Sequence, residues 1–416
     1  MGLKLWTRIA IVNLMIVALL GLTMRAKLMF SMPFLNFKNI LHAHSHFAFG
    51  GWVTLALLAL MTWQLLPAER SSRPVYKWLM GGILVNAAGM LFSFPFQGYA
   101  FFSIFFSTLF IFVTYGYTYI FLKDLRRASI SRPVKLLASG AVIYMALSSV
   151  GAFTLAYLLA SKSTNVFLYK DAVYTYLHLQ YSGFFTMAVF ALLFHKLKLD
   201  SRQAGWFAGT LHVSVIPSLF ISYLWHNPSL IFQVIALVGA LLIVLATVFF
   251  LVTLGRALPQ FKALRPTVKG LLTIAMVSFL FKMIFQALTI VPSLGPMVFT
   301  NRPVIIGFLH LVLLAFITVY LLAHFIHSGL LELNGFSGFA IWLFVVGVIA
   351  NELVLFTQGL GFMLMMTSAM TNWILLGAAG CLFAGALLLA VGQFASGTAL
   401  RVSRISHQGF QSFSES

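Results

Sequence analysis

Three histidines alternate along a short stretch of the chain, at His42, His44 and His46, directly before a run that stays apolar to about Leu66. An imidazole inside a hydrocarbon-spanning helix is costly and usually faces a partner, an ion or a cofactor. Residues four apart on a helix share a face, whereas residues two apart do not. We therefore expect His42 and His46 to point one way and His44 roughly the opposite way, so that at most two of them address one cofactor.

Single histidines recur further along the chain, at His178, His226 and His310. His178 and His310 follow His42 at successive intervals of 136 and 132 residues, a weak periodicity that is typical of a repeated structural unit. A haem with two imidazole ligands needs one axial nitrogen from each of two facing helices. The pattern predicts a haem held by His310 and by His42 or His46. The alternative is that these histidines only tie helices together.

The composition indicates which elements must position these groups. Of the 416 residues, 61% are hydrophobic and 8% are charged, which is too little polar surface for a soluble globule. We predict an all-α polytopic membrane protein in which residues 1–416 form a single transmembrane domain. A membrane-spanning helix needs about 20 apolar residues. Twelve segments of the chain meet this requirement, with approximate limits 5–24, 40–66, 78–96, 100–122, 136–160, 172–195, 204–225, 229–254, 268–291, 303–325, 336–358 and 370–394.

The positive charges predict the orientation of these segments. Nineteen of the 26 Lys and Arg residues fall on the side that holds both termini, six fall on the other side, and Lys282 lies within a segment. By the positive-inside rule both termini are cytoplasmic, as in a multi-pass protein of a prokaryotic-type inner membrane. Segments 2, 6, 7 and 10 then place their histidines in one outer layer, and the histidine intervals predict three pseudo-repeated four-helix arcs.

Charge and cysteine content limit the partners and cofactors. The net charge of +19 is spread over many short loops, which favours contact with anionic membrane lipid over binding of nucleic acid. The only cysteine, Cys381, lies in an apolar segment. The sequence therefore offers no disulfide framework, no attachment site for c-type haem and no cysteine cluster for an iron–sulfur or dinuclear copper centre. A haem in this chain would be held non-covalently.

Two ionisable residues other than histidine lie inside the predicted segments. Lys282 is near the middle of segment 9, with Gln286 one turn on, and Glu352 follows Asn351 in segment 11. Buried ions cost several kcal/mol unless they are paired or hydrated. Three interpretations stay open at this point: the two residues pair with each other, they bind a haem propionate, or they serve a proton path.

Several strings resemble the catalytic subunit of the haem-copper oxidase superfamily. The string from Tyr176 to Phe185 is similar to the helix-6 signature of C-family oxidases and nitric oxide reductases, which supplies a ligand to the active-site copper or non-haem iron. His226 falls where that family has its helix-7 histidine pair, and the string from Gly307 to His310 falls where it has His-x-His on helix 10. The string from His42 to Gly50 also resembles the opening of the NnrS family, haem- and copper-containing membrane proteins tied to nitric oxide tolerance.

The resemblance implies an oxidoreductase, without settling whether this chain is an enzyme. It implies a low-spin haem b on His310 and a helix-2 histidine, with His42 favoured over His46, and copper or a second haem at another site. The implied work is electron transfer from quinol or from a partner electron-donor subunit, or the reduction or binding of O2 or NO. The implied metal ligands are His178, His226 and His44, and the candidate catalytic groups are His178, His226, Tyr181, Lys282 and Glu352.

Two departures make the second site degenerate. Phe308 stands where the family has the ligand of its high-spin haem, and Asn227 stands where it has the second histidine of the helix-7 pair. Two imidazoles are fewer than copper or zinc sites normally use. The alternatives are a twelve-helix solute or metal-ion transporter that uses the histidine cluster, and a scaffold subunit without a cofactor.

Overall fold

The structure, a computed structural model, describes residues 2–363 and 368–412, and all regular secondary structure in these ranges is helical. Twelve of the helices are long and apolar enough to cross a membrane, which confirms the predicted fold class and number of segments. In chain order, α1 to α12 span Leu3–Met29, Phe37–Leu65, Pro74–Gln97, Phe101–Leu125, Arg132–Ala160, Val166–Leu197, Arg202–His226, Leu230–Arg256, Pro266–Leu288, Arg302–His327, Gly335–Gly361 and Met370–Gln393.

Polar caps fix where several of these helices begin. A side-chain oxygen before the first turn accepts a hydrogen bond from a backbone N–H three residues on, which satisfies one of the free donors of a helix start. The capping residues of α2, α6, α7 and α10 are Asn36, Asn165, Ser201 and Asn301. Because charged residues lie within the first two turns of α2 and α6, counting apolar residues placed the starts of these helices too late, at 40 and 172 instead of Phe37 and Val166.

The centre of the bundle is formed by α2, α6 and α10, which contact one another pairwise. The ring centroids of Phe49 and Phe185 are 5.4 Å apart and join α2 to α6. Tyr181 and Phe308 are 5.5 Å apart and join α6 to α10. The indole Nε1 of Trp52 donates a 2.9 Å hydrogen bond to Thr318 Oγ1 and joins α2 to α10. The three helices that carry the recurring histidines are therefore neighbours.

Each central helix changes from α to π geometry within two residues after a histidine. These π-helical stretches are Ala48–Thr54, Leu179–Phe185 and Leu311–Thr318, and they follow His46, His178 and His310. π-helical turns are rare and occur frequently at functional sites. We call the end of the bundle at which α2, α6 and α10 begin the histidine end.

The outer helices expose large apolar side chains. On α8, for example, Leu237, Leu241 and Val248 are about half exposed. An apolar face of this extent is unusual on a soluble monomer and suits contact with lipid tails. The twelve helices and their apolar outer faces are those of a multi-pass membrane protein.

Candidate functional site

The imidazole of His44 is held by α1. Its Nδ1 donates a 3.1 Å hydrogen bond to the carbonyl of Val17, and its Cε1 lies 3.4 Å from the position that a Cβ on Gly21 would occupy. Deeper in the bundle, Asn13 Nδ2 donates to the carbonyl of Gly51 at 2.6 Å. Residues 13, 17 and 21 lie on one face of α1, so this face runs along α2 and fixes the orientation of the His44 ring.

The imidazole of His310 on α10 is held in the same way as that of His44, with the proton on Nδ1. Its Nδ1 donates a 2.8 Å hydrogen bond to the carbonyl of Ile306, one turn earlier. In a neutral imidazole that donates through Nδ1, the Nε2 atom carries a lone pair. The Nε2 atoms of His44 and His310 have no hydrogen-bond partner among the described residues. Metal-binding histidines have this arrangement, with one ring nitrogen on a carbonyl and the other free for the metal.

The register between α2 and α10 places these two rings at the same level. Trp52 and Thr318, which are hydrogen-bonded, are 266 residues apart in the sequence. Nearer the histidine end, the guanidinium of Arg302 lies over the ring of Phe37 at 5.6 Å, with nearly the same offset. His44 and His310 are also separated by 266 residues, and their imidazoles interact electrostatically. The two helices are therefore parallel, and each imidazole lies about midway between these two contacts.

His42 and His46 lie on the opposite side of α2. The His46 ring stacks on Phe94 of α3 at a centroid distance of 4.6 Å, and its Nε2 is 2.9 Å from the Tyr99 hydroxyl. The His42 ring contacts the Tyr99 ring edge-on at 4.6 Å. Burial raises the pKa of Tyr99, which lies between α3 and α4, to about 12. Its hydroxyl therefore stays protonated and can donate to His46.

This placement differs from the sequence-based expectation. We expected His42 or His46 to face His310 and assigned His44 to another site. The structure instead puts His44 on the side of α2 that interacts with His310, and puts His42 and His46 against α3 and Tyr99. The helical spacing separates the histidines into two faces, but which face meets α10 depends on how α1 and α3 pack around α2.

His178, on α6, lies in a separate polar cluster. The side chain is fully buried, and its Nε2 donates to the Val215 carbonyl at 2.9 Å and lies 3.2 Å from Ser218 Oγ, both on α7. Its Nδ1 is buried without a hydrogen-bond partner in the described part of the chain. The Tyr181 ring lies 5.6 Å from the imidazole and also contacts Phe308. Phe308 of α10 therefore packs against this cluster.

His226 is not part of this cluster. Its Nε2 is 3.0 Å from Asp171 Oδ2, and Trp225 Nε1 donates to the other carboxylate oxygen. Asp171 precedes His178 by seven residues on α6, which is roughly 10 Å along the helix. Asp171 escaped the sequence analysis, although it is the only acidic residue between the predicted segments on its side.

The metal ligands predicted together do not meet in one site. His44, His178 and His226 each have their own hydrogen-bond partner. Within the ranges that the structure describes, no group of three or more His, Cys, Asp or Glu side chains is placed to hold one ion. The donor set at His178 therefore has fewer ligands than a copper site normally uses. The pair His44 and His310, from two facing helices, fits a haem with two imidazole ligands.

Lys282 and Glu352 do not pair with each other. Lys282 is 2% exposed, and its Nζ lies 3.7 Å from the sulfur of Met283. Glu352 accepts a 3.2 Å hydrogen bond from Asn351. Lys282 interacts electrostatically with His178 and so belongs to the α6 cluster. Of the three interpretations, mutual pairing is the one that the structure contradicts.

No known protein-family model matches the chain, and no curated protein sequence matches it. Function must therefore be inferred from the arrangement of the residues.

Gly21 provides a test of the space around His44. A Gly21→Leu variant should displace the imidazole and lower haem occupancy by about tenfold, the low end of what loss of a supporting group costs a metal site. Gly21→Ala should leave the His44 ring in place and any haem bound through it unaffected, because 3.4 Å is an ordinary contact distance for a Cβ. Haem per purified protein is the measurement. The matched control is Gly81→Leu, since a Cβ on Gly81 meets nothing within 4 Å; equal haem content in Gly21→Leu and Gly81→Leu would contradict the prediction.

Proposed function

We propose that this chain is an integral membrane protein that binds one low-spin haem b between α2 and α10 and transfers electrons. His44 and His310 are its axial ligands. The observation that supports this most strongly is that the two imidazoles lie at the same level in the bundle and have the same hydrogen-bonding pattern. They lie on parallel helices at the same register, each donates Nδ1 to a backbone carbonyl, and each leaves Nε2 without a partner among the described residues.

The surrounding residues have defined tasks in this proposal. Val17 and Ile306 hold the two imidazoles in the tautomer that leaves Nε2 available. Gly21 leaves room for the His44 ring, and the hydrogen bond between Trp52 and Thr318 joins α2 to α10 on the deeper side of the two imidazoles. A haem with two imidazole ligands supplies reversible one-electron chemistry. The apolar side chains around it keep water away from the iron and help to set its potential.

The number of ligands on the haem iron favours electron transfer over gas reduction. Two imidazoles occupy both axial positions of the haem and leave none open for O2 or NO. In the α6 cluster, His178 Nε2 is engaged by the Val215 carbonyl, and Phe308 replaces a ligand. We therefore propose a relative of the haem-copper oxidase plan that retains its electron-transfer haem and has lost the donor set of its catalytic centre.

The proposed setting is an inner membrane of prokaryotic type with both termini in the cytoplasm, so that the histidine end is the outer face. The uneven distribution of Lys and Arg supports this orientation. The π-helical stretches at similar places in α2, α6 and α10 support three repeated four-helix arcs. Electrons would come from quinol or from a partner electron-donor subunit.

The test is a visible spectrum of the purified protein, expressed with haem available. We expect about one haem b per chain and a Soret band that sharpens and shifts on reduction. Carbon monoxide should leave the reduced spectrum unchanged, since the iron has no open position. A colourless, iron-free and monodisperse protein would contradict the proposal and would favour the transporter alternative, which metal-uptake measurements in proteoliposomes then test. A spectrum that shifts with carbon monoxide would contradict the two-imidazole assignment.

A further inference from the structure

We infer that Arg25 of α1 binds the propionate groups of the haem and so fixes its orientation, with both carboxylates toward the histidine end. This inference rests on the proposed haem between His44 and His310. It adds an anion-binding residue from a third helix to the two axial ligands.

The position of Arg25 follows from the contacts of α1 with His44. Val17, Gly21 and Arg25 are spaced by four residues and share one face of α1. The first two contact the His44 imidazole, at 3.1 Å and 3.4 Å. Arg25 is therefore the next residue along this face, about 6 Å further toward the histidine end.

Three of the other cations at the histidine end have partners of their own. Lys27 Nζ donates to the Met32 carbonyl at 2.7 Å. Further cations lie over aromatic rings, Lys170 over Trp225 at 4.2 Å and Arg302 over Phe37 at 5.6 Å. The connection between α11 and α12, residues 362–369, contains no charged residue.

Arg25 itself has no carboxylate partner. It forms none of the ion pairs found among the described residues, and Asp171, the acidic residue near this end, is engaged by His226 and Trp225. A guanidinium within a membrane helix is costly unless an anion or water compensates it. Haem b carries two carboxylates on one edge, and a guanidinium binds carboxylates in a planar, two-point geometry. The two groups therefore complement each other in charge and shape.

The experiment compares haem b with its dimethyl ester, which lacks the propionate charges. Apoprotein in nanodiscs is titrated with each compound, and binding is followed by the Soret band. We expect the wild type to bind haem b roughly tenfold more tightly than the ester, the effect of about 1.4 kcal/mol. Arg25→Gln should lose this preference, and Arg25→Lys should retain part of it. The matched control Arg302→Gln should keep the full preference.

A second readout is the midpoint potential of the bound haem. Removal of a positive charge close to the haem favours the ferric state, so Arg25→Gln should lower the potential, whereas Arg302→Gln should change it less. If the wild type bound haem b and the ester with equal affinity, the role of Arg25 would be overturned without the need for a variant. The proposed haem site between His44 and His310 would be unaffected by that result. Failure of the wild type to bind either compound would overturn the proposed function and this inference together.

Discussion

Replacing His44 or His310 with alanine is expected to remove the low-spin haem spectrum of the purified protein. Each variant loses one of two axial nitrogens, and haem occupancy should fall at least tenfold, since loss of a mere supporting group already costs roughly 10- to 100-fold in metal affinity. His42→Ala should retain the haem and its band positions, because the His42 ring packs against Tyr99 on the other side of α2. Haem per protein and the reduced spectrum are the measurements.

His42→Ala is a close control for His44→Ala, since the two residues are of the same type and two positions apart on one helix. Free imidazole added to His44→Gly should restore part of the low-spin spectrum by occupying the vacated position. The prediction fails if His42→Ala or His46→Ala loses the haem while His44→Ala keeps it. That result would return the axial role to the face of α2 favoured from sequence.

The largest expected loss of stability comes from Asp124 at the end of α4. Its side chain is 1% exposed and pairs with Arg73 at 2.9 Å, while the Tyr76 hydroxyl donates to it at 3.0 Å. Removing Asp124 leaves the buried Tyr76 hydroxyl without its acceptor, whereas the Arg73 side chain is 41% exposed and can be hydrated. Asp124→Ala should therefore lower the free energy of unfolding by about 2 kcal/mol, the cost of one buried polar group without a partner, measured by reversible unfolding in detergent micelles.

The matched control for this variant is Glu332→Ala. Glu332 pairs with Lys4 at 3.7 Å, and both side chains are about half exposed. Exposed ion pairs contribute about 0–1 kcal/mol, so the change in free energy of unfolding should be small. Equal losses in the two variants would contradict the assignment of Asp124 as a buried anchor between α3 and α4.

The twelve helices could be predicted because each must supply about 20 apolar residues to cross a bilayer, a signal that is local in the sequence. The helix ends were less accurate. The start of α6 was expected at 172, whereas the helix begins at Val166, because the charged Lys170 and Asp171 in its second turn interrupt the apolar run. The π-helical stretches after His46, His178 and His310 have no local sequence signal that we recognise.

The candidate site was only partly predictable for a different reason. The sequence identifies His44 and His310 as unusual, but their pairing depends on which face of α2 meets α10. That choice is made by contacts such as Val17 with His44 and Trp52 with Thr318, between residues far apart in the chain. The pairing of Asp171 with His226, 55 residues apart, is of the same kind. Non-local contacts of this sort carry no periodic pattern that a single sequence could reveal.

An experimental density map of the haem-loaded protein tests the central claim most directly. We predict continuous planar density between the Nε2 atoms of His44 and His310, with both carboxylate arms directed toward Arg25. A map in which these two imidazoles contact each other with no density between them would contradict the account. So would haem density bound through His42, His46 or His178.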